Sequence, residues 1–478
     1  MIRHSLAAGL AALLASTTGA PAQHSHAPPT DANVGTVRFA NSCAPAVQAD
    51  FARAVAMLHS FWYDAAEQGF RDIQAKDPGC AVASWGIAAI LMQNPLAGVG
   101  PTPDQARTAQ AAIDQGRAIG ARTQRERDYI EAVAAYYRDF ATRPETARQA
   151  SRAEAFEALA AKYPDDDEAQ IFAALYIAGT QSQADQSYTA YARSAAILQR
   201  EWVKYPEHPG IAHYIIHVYD APPLAQDGLV AARKYAGLAP DAPHALHMPS
   251  HIFTRVGSWE ESVATNARSF TVAVQRGDNA EAYHASDYEV YALLQLGRDD
   301  AARKAMTDCL AVVVTPPASL AWPYAASAMP ARYALERGDW AAAMQLRRMA
   351  GAPPFATALT SFSRGIGAVR GGDLAAARQA LQELAADQAR LAEAGNAYWA
   401  REAAVQQQAV AAWIAFAEDR REAALAQMRA AADAEDGNEK HIVTPGRILP
   451  ARELLGDMLL AAGQPQAALR EYEASMTR

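Results

Sequence analysis

A helix–turn–helix pattern recurs along this chain, and that recurrence limits its possible folds more than any other feature. In DFARAVAMLHSFWYDAAEQGFRDIQAKDPGCAVASWGIAAIL (50–91), small and large apolar residues alternate at helical spacing, and Pro78 stops the second helix. Ala66, Phe70 and Pro78 hold the offsets of a unit about 34 residues long. Counting back from Pro78 starts that window at Val47. The next window starts at Ala81 and carries Trp85, Ala88 and Leu91 in its first helix. Downstream, Pro164 and Pro240 end similar helices. VGSW (256–259), LGRDD (296–300), RGDW (337–340), GGDL (371–374) and AGQPQ (462–466) mark further turns, followed by runs such as AAMQLRRMA and AALREYEAS. The spacing predicts roughly nine or ten hairpins, with one irregular stretch, QNPLAGVGPTPD. One such hairpin cannot bury its apolar side alone, so the units must stack, each touching its neighbours. The expected fold is all-α, a right-handed α-solenoid.

The offsets resemble those of the tetratricopeptide-repeat (TPR) superfamily over nearly the whole chain after its first residues. MLHSFWYDAA, HPGIAHYIIHVYD, APHALHMPSHIF and TPGRILPARELLGD also resemble blocks of an exported bacterial group of TPR-like proteins. The resemblance implies the solenoid fold, with the first helix of each pair lining a concave face. It implies no activity.

The amino terminus reads as a targeting signal. Arg3 precedes the apolar stretch LAAGLAALLA, and APA at 20–22 offers small residues around a cleavage point. The expected organisation is a signal peptide over 1–22, an extended lead-in over 23–43 and a solenoid over 44–478. The apolar stretch is too short to span a bilayer, so the mature chain is expected to be exported, periplasmic or secreted, without a transmembrane anchor. The net charge of −9 carries no basic stripe, which excludes a nucleic-acid partner. Cys43 and Cys80 flank the first hairpin. A disulfide and three buried thiols both fit them, and Cys309 reads as core.

Seven histidines fall between His208 and His284. Their phase is informative. In the window starting at Pro209, His213 is fifth and His217 ninth. In the window starting at Pro243, His244 is second, His247 fifth and His251 ninth. The next window puts His284, Asp287 and Tyr291 at the second, fifth and ninth places. In tetratricopeptide repeats these positions of the first helix face the groove. Spacing of i, i+4 sets each pair on one helix face, and neighbouring helices pack about 8–10 Å apart. His213, His217, His247 and His251 are therefore expected to meet at one point and ligate a metal. His244, His284, Asp287, Tyr291 and His59 are expected as additional ligands or supports. Imidazole suits zinc or copper, with iron behind them. Pro249 leaves a second option, in which the helix starts there and His244 and His247 lie on the preceding loop.

Trp85, His441, Arg452, Glu453 and Asp457 are weaker candidates for groove or ligand contacts. The chain has no phosphate-binding glycine loop, GxSxG elbow or HExxH helix. Two functions stay open: a groove site that binds a ligand through a transition metal, with catalysis undecided, and a metal-free scaffold for a peptide, protein or small ligand.

Overall fold

The computed structural model describes residues 32–314 and 319–477, and its regular structure is entirely helical. The expected signal peptide, His24 and His26 lie outside the described residues. Helices follow one another as stacked hairpins, beginning with Gln48–His59 against Tyr63–Lys76 and ending with Ala451–Ala461 against Pro465–Ser475.

The two helices of a hairpin differ in character. Asp167–Ala178, Pro209–Tyr219 and Pro354–Arg370 are apolar nearly all round and buried nearly all round. Their partners, Thr189–Lys204, Leu229–Leu238 and Leu374–Glu393, bury one row and expose the rest. This is the pattern of an inner and an outer helical layer. Turn residues stop the helices where the sequence signals them. Gly297 adopts φ +67° ahead of Asp299–Leu310, and Asp373 caps Leu374–Glu393 by accepting from the Ala376 N–H. Gly86 lets the inner layer close up, since a Cβ there would sit 2.5 Å from the Phe70 ring.

Three expectations are modified. The lead-in is extended over 32–43, but it is packed rather than loose: Val34, Val37 and Phe39 are buried. Phe39 stacks on Trp85 at 5.0 Å, so Trp85 belongs to the core and does not line a groove. The run AAMQLRRMA is helical only through Trp340–Met344, because Arg348 leaves the helix to bind the buried carboxylate of Asp387 at 2.8 Å.

The concave side is filled by the chain itself. Residues 437–450, between Arg421–Asp436 and Ala451–Ala461, reach back across it. The Glu439 N–H donates to Gln183 O at 2.7 Å, Tyr288 donates to Ile442 O and Thr444 O, and the buried Arg332 donates to Gly446 O and Arg447 O. Every one of these bonds satisfies loop backbone that would otherwise be buried without a partner.

Cys43 and Cys80 are bonded, with Cα atoms 4.7 Å apart and a sequence separation of 37, and Cys309 is a buried free thiol. Closing a loop of that size contributes about 4 kcal/mol in the chain-entropy model. Replacing both cysteines by serine should lower the unfolding free energy by about 3–4 kcal/mol in urea titrations. Thiol titration of the denatured wild type should find one reactive group, Cys309.

Candidate metal centre

Six histidines converge on the inner face, each at most 9% exposed. They form two groups of three. His213, His217 and His244 bring one ligand atom each within 4.8 Å of one another, and His247, His251 and His284 do the same. The sequence expectation of one four-histidine point is thus redrawn. Each triad takes the fifth and ninth positions of one window and the second position of the next. Successive inner helices are stepped along the solenoid, so a following window presents its second position, near its helix start, to the pair before it. His244 and His284 accordingly stand within the triads rather than behind them.

The local structure accounts for this arrangement. Pro249 has no N–H to donate, and the expected single helix divides into Pro243–His247 and Pro249–Arg255. Met248 between them is helical, at φ −51° and ψ −36°, so the direction is kept and His247 and His251 share a face. In the Pro209 window the second position is Gly210. A Cβ there would lie 2.4 Å from His59 Nδ1, so glycine makes room for the His59 ring.

The hydrogen bonds behind the rings decide the chemistry. His247 Nδ1–H donates to Asn266 Oδ1 at 2.7 Å, and the Asn266 amide is oriented by its own NH₂ donating to Ser262 O. His251 Nδ1–H donates to the Asp220 carboxylate at 2.8 Å. A neutral imidazole carries one N–H, so both Nε2 atoms are lone pairs. They face each other at 3.1 Å. Two nitrogens bound to one metal at about 2.0–2.1 Å lie roughly 2.9–3.4 Å apart, so this spacing suits a shared ion.

The other triad is held from behind at two of its three rings. His213 Nδ1–H donates to His59 O at 2.6 Å, His244 Nδ1–H donates to Glu281, and the Nε2 atoms of His213 and His217 are 3.1 Å apart. His217 Nδ1, His244 Nε2 and His284 Nδ1 are buried without a hydrogen-bond partner. An unsatisfied buried polar atom is costly, and histidines backed by carboxylate, amide or carbonyl oxygens are the usual arrangement around a metal.

A third cluster behaves differently. Both nitrogens of His59 are bonded, to Tyr214 Oη and Glu168, and both of His208 are bonded, to Glu168 and the Ile211 N–H. With no lone pair left over, this network braces the Pro209–Tyr219 helix. His59 serves the triad through its backbone carbonyl.

The remaining candidates are dispersed. Asp287 pairs with Arg332 at 3.4 Å, and Tyr291 lies under the Arg332 guanidinium at 4.8 Å. His441 holds the inner loop by donating to Ala97 O. Arg452 binds Asp433, Asp436 and Glu471, Glu453 accepts from Ser475, and Asp457 pairs with Arg370 and Tyr472, all around the last hairpins. Asp220, Glu281, Asn266 and Lys440 were missed as ring supports. The Asp of HVYD, three residues after His217, was the one available signal. Asp220 also binds Lys440 at 3.0 Å and Arg255 at 2.8 Å, which ties the inner loop to His251.

Burial sets the protonation states. It lowers His213, His217, His247 and His284 well below the ordinary 6.5, and neighbouring imidazoles add to the effect. His251 is lowered to about 4 by burial, against the pull of Asp220. Burial would raise Asp220, but Lys440 and Arg255 overcome it and hold the carboxyl well below its usual range. Near neutral pH these five rings therefore present uncharged nitrogens.

No family model matches this chain, and no curated protein sequence matches it. Among solved structures, the APC/C hetero-tetramer Cut9–Hcn1 is similar at 12% identity and a TM-score of 0.37, covering 88% of this chain and 78% of that one. A human IFIT1 dimer with m7Gppp-AAAA gives 14% and 0.35, covering 82% and 89%. Naa15/Naa10 bound to HypK-THB gives 12% and 0.24, covering 89% and 68%. The helical-hairpin description rests on the packing above, and no partner is carried over from these proteins.

Metal-free protein should lose stability on acidification. These imidazoles bind fewer protons folded than unfolded, so the stability present above pH 6.5 falls as pH drops toward the lowered values. For His251, held at about 4, the loss amounts to ~3 kcal/mol. Urea midpoints of the chelated protein should fall between pH 7.5 and 5, and a flat profile would contradict the assignment. Asp220→Ala, which leaves Lys440 and Arg255 without their buried carboxylate, should cost about 3–5 kcal/mol in the same titration at neutral pH.

Proposed function

We propose that this chain is an exported metalloprotein whose two histidine triads each bind a transition-metal ion, zinc or copper ahead of iron. The observation that carries the reading is the pair of lone pairs on His247 and His251, 3.1 Å apart and fixed as acceptors by Asn266 and Asp220. Two such atoms repel unless a proton or a cation lies between them, and burial disfavours the proton. The Cys43–Cys80 bond supports an oxidising compartment, in line with the targeting signal in the sequence.

The donor set narrows the metal. Six imidazoles with no carboxylate or thiolate among them suit zinc and copper, whereas iron of the two-histidine type needs a carboxylate. Three protein ligands leave a position for an outside ligand, as in catalytic rather than structural zinc sites. Asn266, Asp220, Glu281 and the His59 carbonyl orient the rings. The alternative, a metal-free scaffold with a peptide in its groove, is disfavoured here because residues 437–450 already occupy the inner face and hydrogen-bond it along their length.

Protein purified without a histidine tag should retain metal through dialysis, as read by elemental analysis. His217→Ala combined with His251→Ala removes a ligand from each triad and should abolish retention with the helical circular-dichroism signal kept. Glu281→Gln should weaken metal affinity about 10–100-fold. Undiminished metal in the double variant would refute the assignment.

A further inference from the structure

The two triads are not remote from each other. The His217 and His251 rings, in different triads, are 5.8 Å apart, and so are His244 and His247. Within the triads, His217 and His244 are 6.4 Å apart, and His251 and His284 are 6.0 Å apart. Rings from opposite triads thus come closer than the widest-spaced pair within either triad, although the tightest pairs, at 4.2–5.2 Å, lie inside the triads. One short element joins both groups: Pro243–His247 and Pro249–Arg255 supply His244 to the first and His247 and His251 to the second.

Resting on the metal-binding reading above, we propose that the triads form a single dinuclear copper centre that takes dioxygen between its two ions. Three further observations support it. First, all six inner donors are imidazole nitrogens. Each triad is backed by one carboxylate, Glu281 behind His244 and Asp220 behind His251, and Asp220 is already compensated by Lys440 and Arg255. Little negative charge is left to offset two divalent ions in a buried space, where uncompensated charge is costly. Two cuprous ions bring half that charge. Second, among the described residues no carboxylate belongs to either group of three donors, and Asp287, the nearest by sequence phase, turns one oxygen to Arg332. The bridge must come from outside.

Third, an aromatic ring packs on each triad. Phe61 covers the first triad, with its ring 4.4 Å from His213, 5.7 Å from His244 and 5.8 Å from His217. Tyr288 covers the second, 4.7 Å from His247 and 4.9 Å from His251, and is tied by its hydroxyl to the inner loop. Phe61 holds φ +53°, a left-handed conformation rare for a side chain of its size. Strain of this kind persists where surrounding structure enforces it, often at functional sites.

The step balances without another reactant. Each cuprous ion gives one electron and becomes cupric, and dioxygen gains two and becomes a bound peroxide. The dioxygen π bond is lost, two copper–oxygen bonds form, and no proton moves. Release of dioxygen reverses each change.

The test uses the untagged full chain, loaded anaerobically with cuprous ion and then exposed to air. The expected result is two coppers per chain, a new peroxide-to-copper absorption band and no electron paramagnetic resonance signal, because two bridged cupric spins cancel. The band should bleach when dioxygen is removed. His284→Ala should halve the copper to one per chain, lose the band and show an isolated cupric signal on oxidation with ferricyanide. His217→Ala tests the same point from the other triad should the first variant fail to fold. Two bound coppers with a full-intensity signal after oxidation, one copper per chain in the wild type, or two zinc ions with no uptake of copper would each overturn the dinuclear copper centre while leaving the metal-binding reading intact. A chain that retains no metal of any kind would overturn both.

Discussion

His247 and His251 face each other through lone pairs, and the rest of the inner face follows from holding them so. Asn266 and Asp220 fix the two tautomers from behind. Asp220 in turn needs Lys440 and Arg255, and Lys440 is carried by a loop from nearly two hundred residues downstream of Arg255. That loop lies across the inner helices, where Tyr288 and Arg332 bond its backbone. Solenoid curvature, loop placement and imidazole chemistry are thereby linked through one carboxylate.

The contrast among the histidine clusters makes the same point. The His59–Glu168–His208 group is as buried as the triads, yet every ring nitrogen in it has a partner. It behaves as an internal brace. In the triads, the outward nitrogens of His213, His244, His247 and His251 are bonded, while the inward ones meet other imidazoles or nothing. Burial is alike in the two cases, and the brace alone carries a carboxylate, Glu168, within its group of three to satisfy its rings. The difference lies in which lone pairs are left over.

Much of the fold was legible because a helical hairpin is a local object. Proline and glycine punctuation located the turns, and a repeat spacing carried His213 and His217 onto the face later shared by His247 and His251. The regrouping into triads was not legible, because it depends on how far each inner helix is stepped along the solenoid. Trp85 was misplaced for a similar reason: the extended segment that covers it, with Phe39, carries no periodicity to announce where it lies. Glu281, Asn266 and Lys440 sit on separate elements, and only the superhelical path brings them behind the rings. Arg452, Glu453 and Asp457 had the right repeat phase but lie in the last hairpins, where they pair among themselves and with Arg370.

The most direct measurement is a crystallographic anomalous-difference map recorded at the absorption edge of the metal retained by untagged protein. The account predicts two peaks, one inside His213, His217 and His244 and one inside His247, His251 and His284, each about 2.0–2.1 Å from three imidazole nitrogens. A map with no peak there, and with a water molecule bridging the His247 and His251 nitrogens instead, would contradict it.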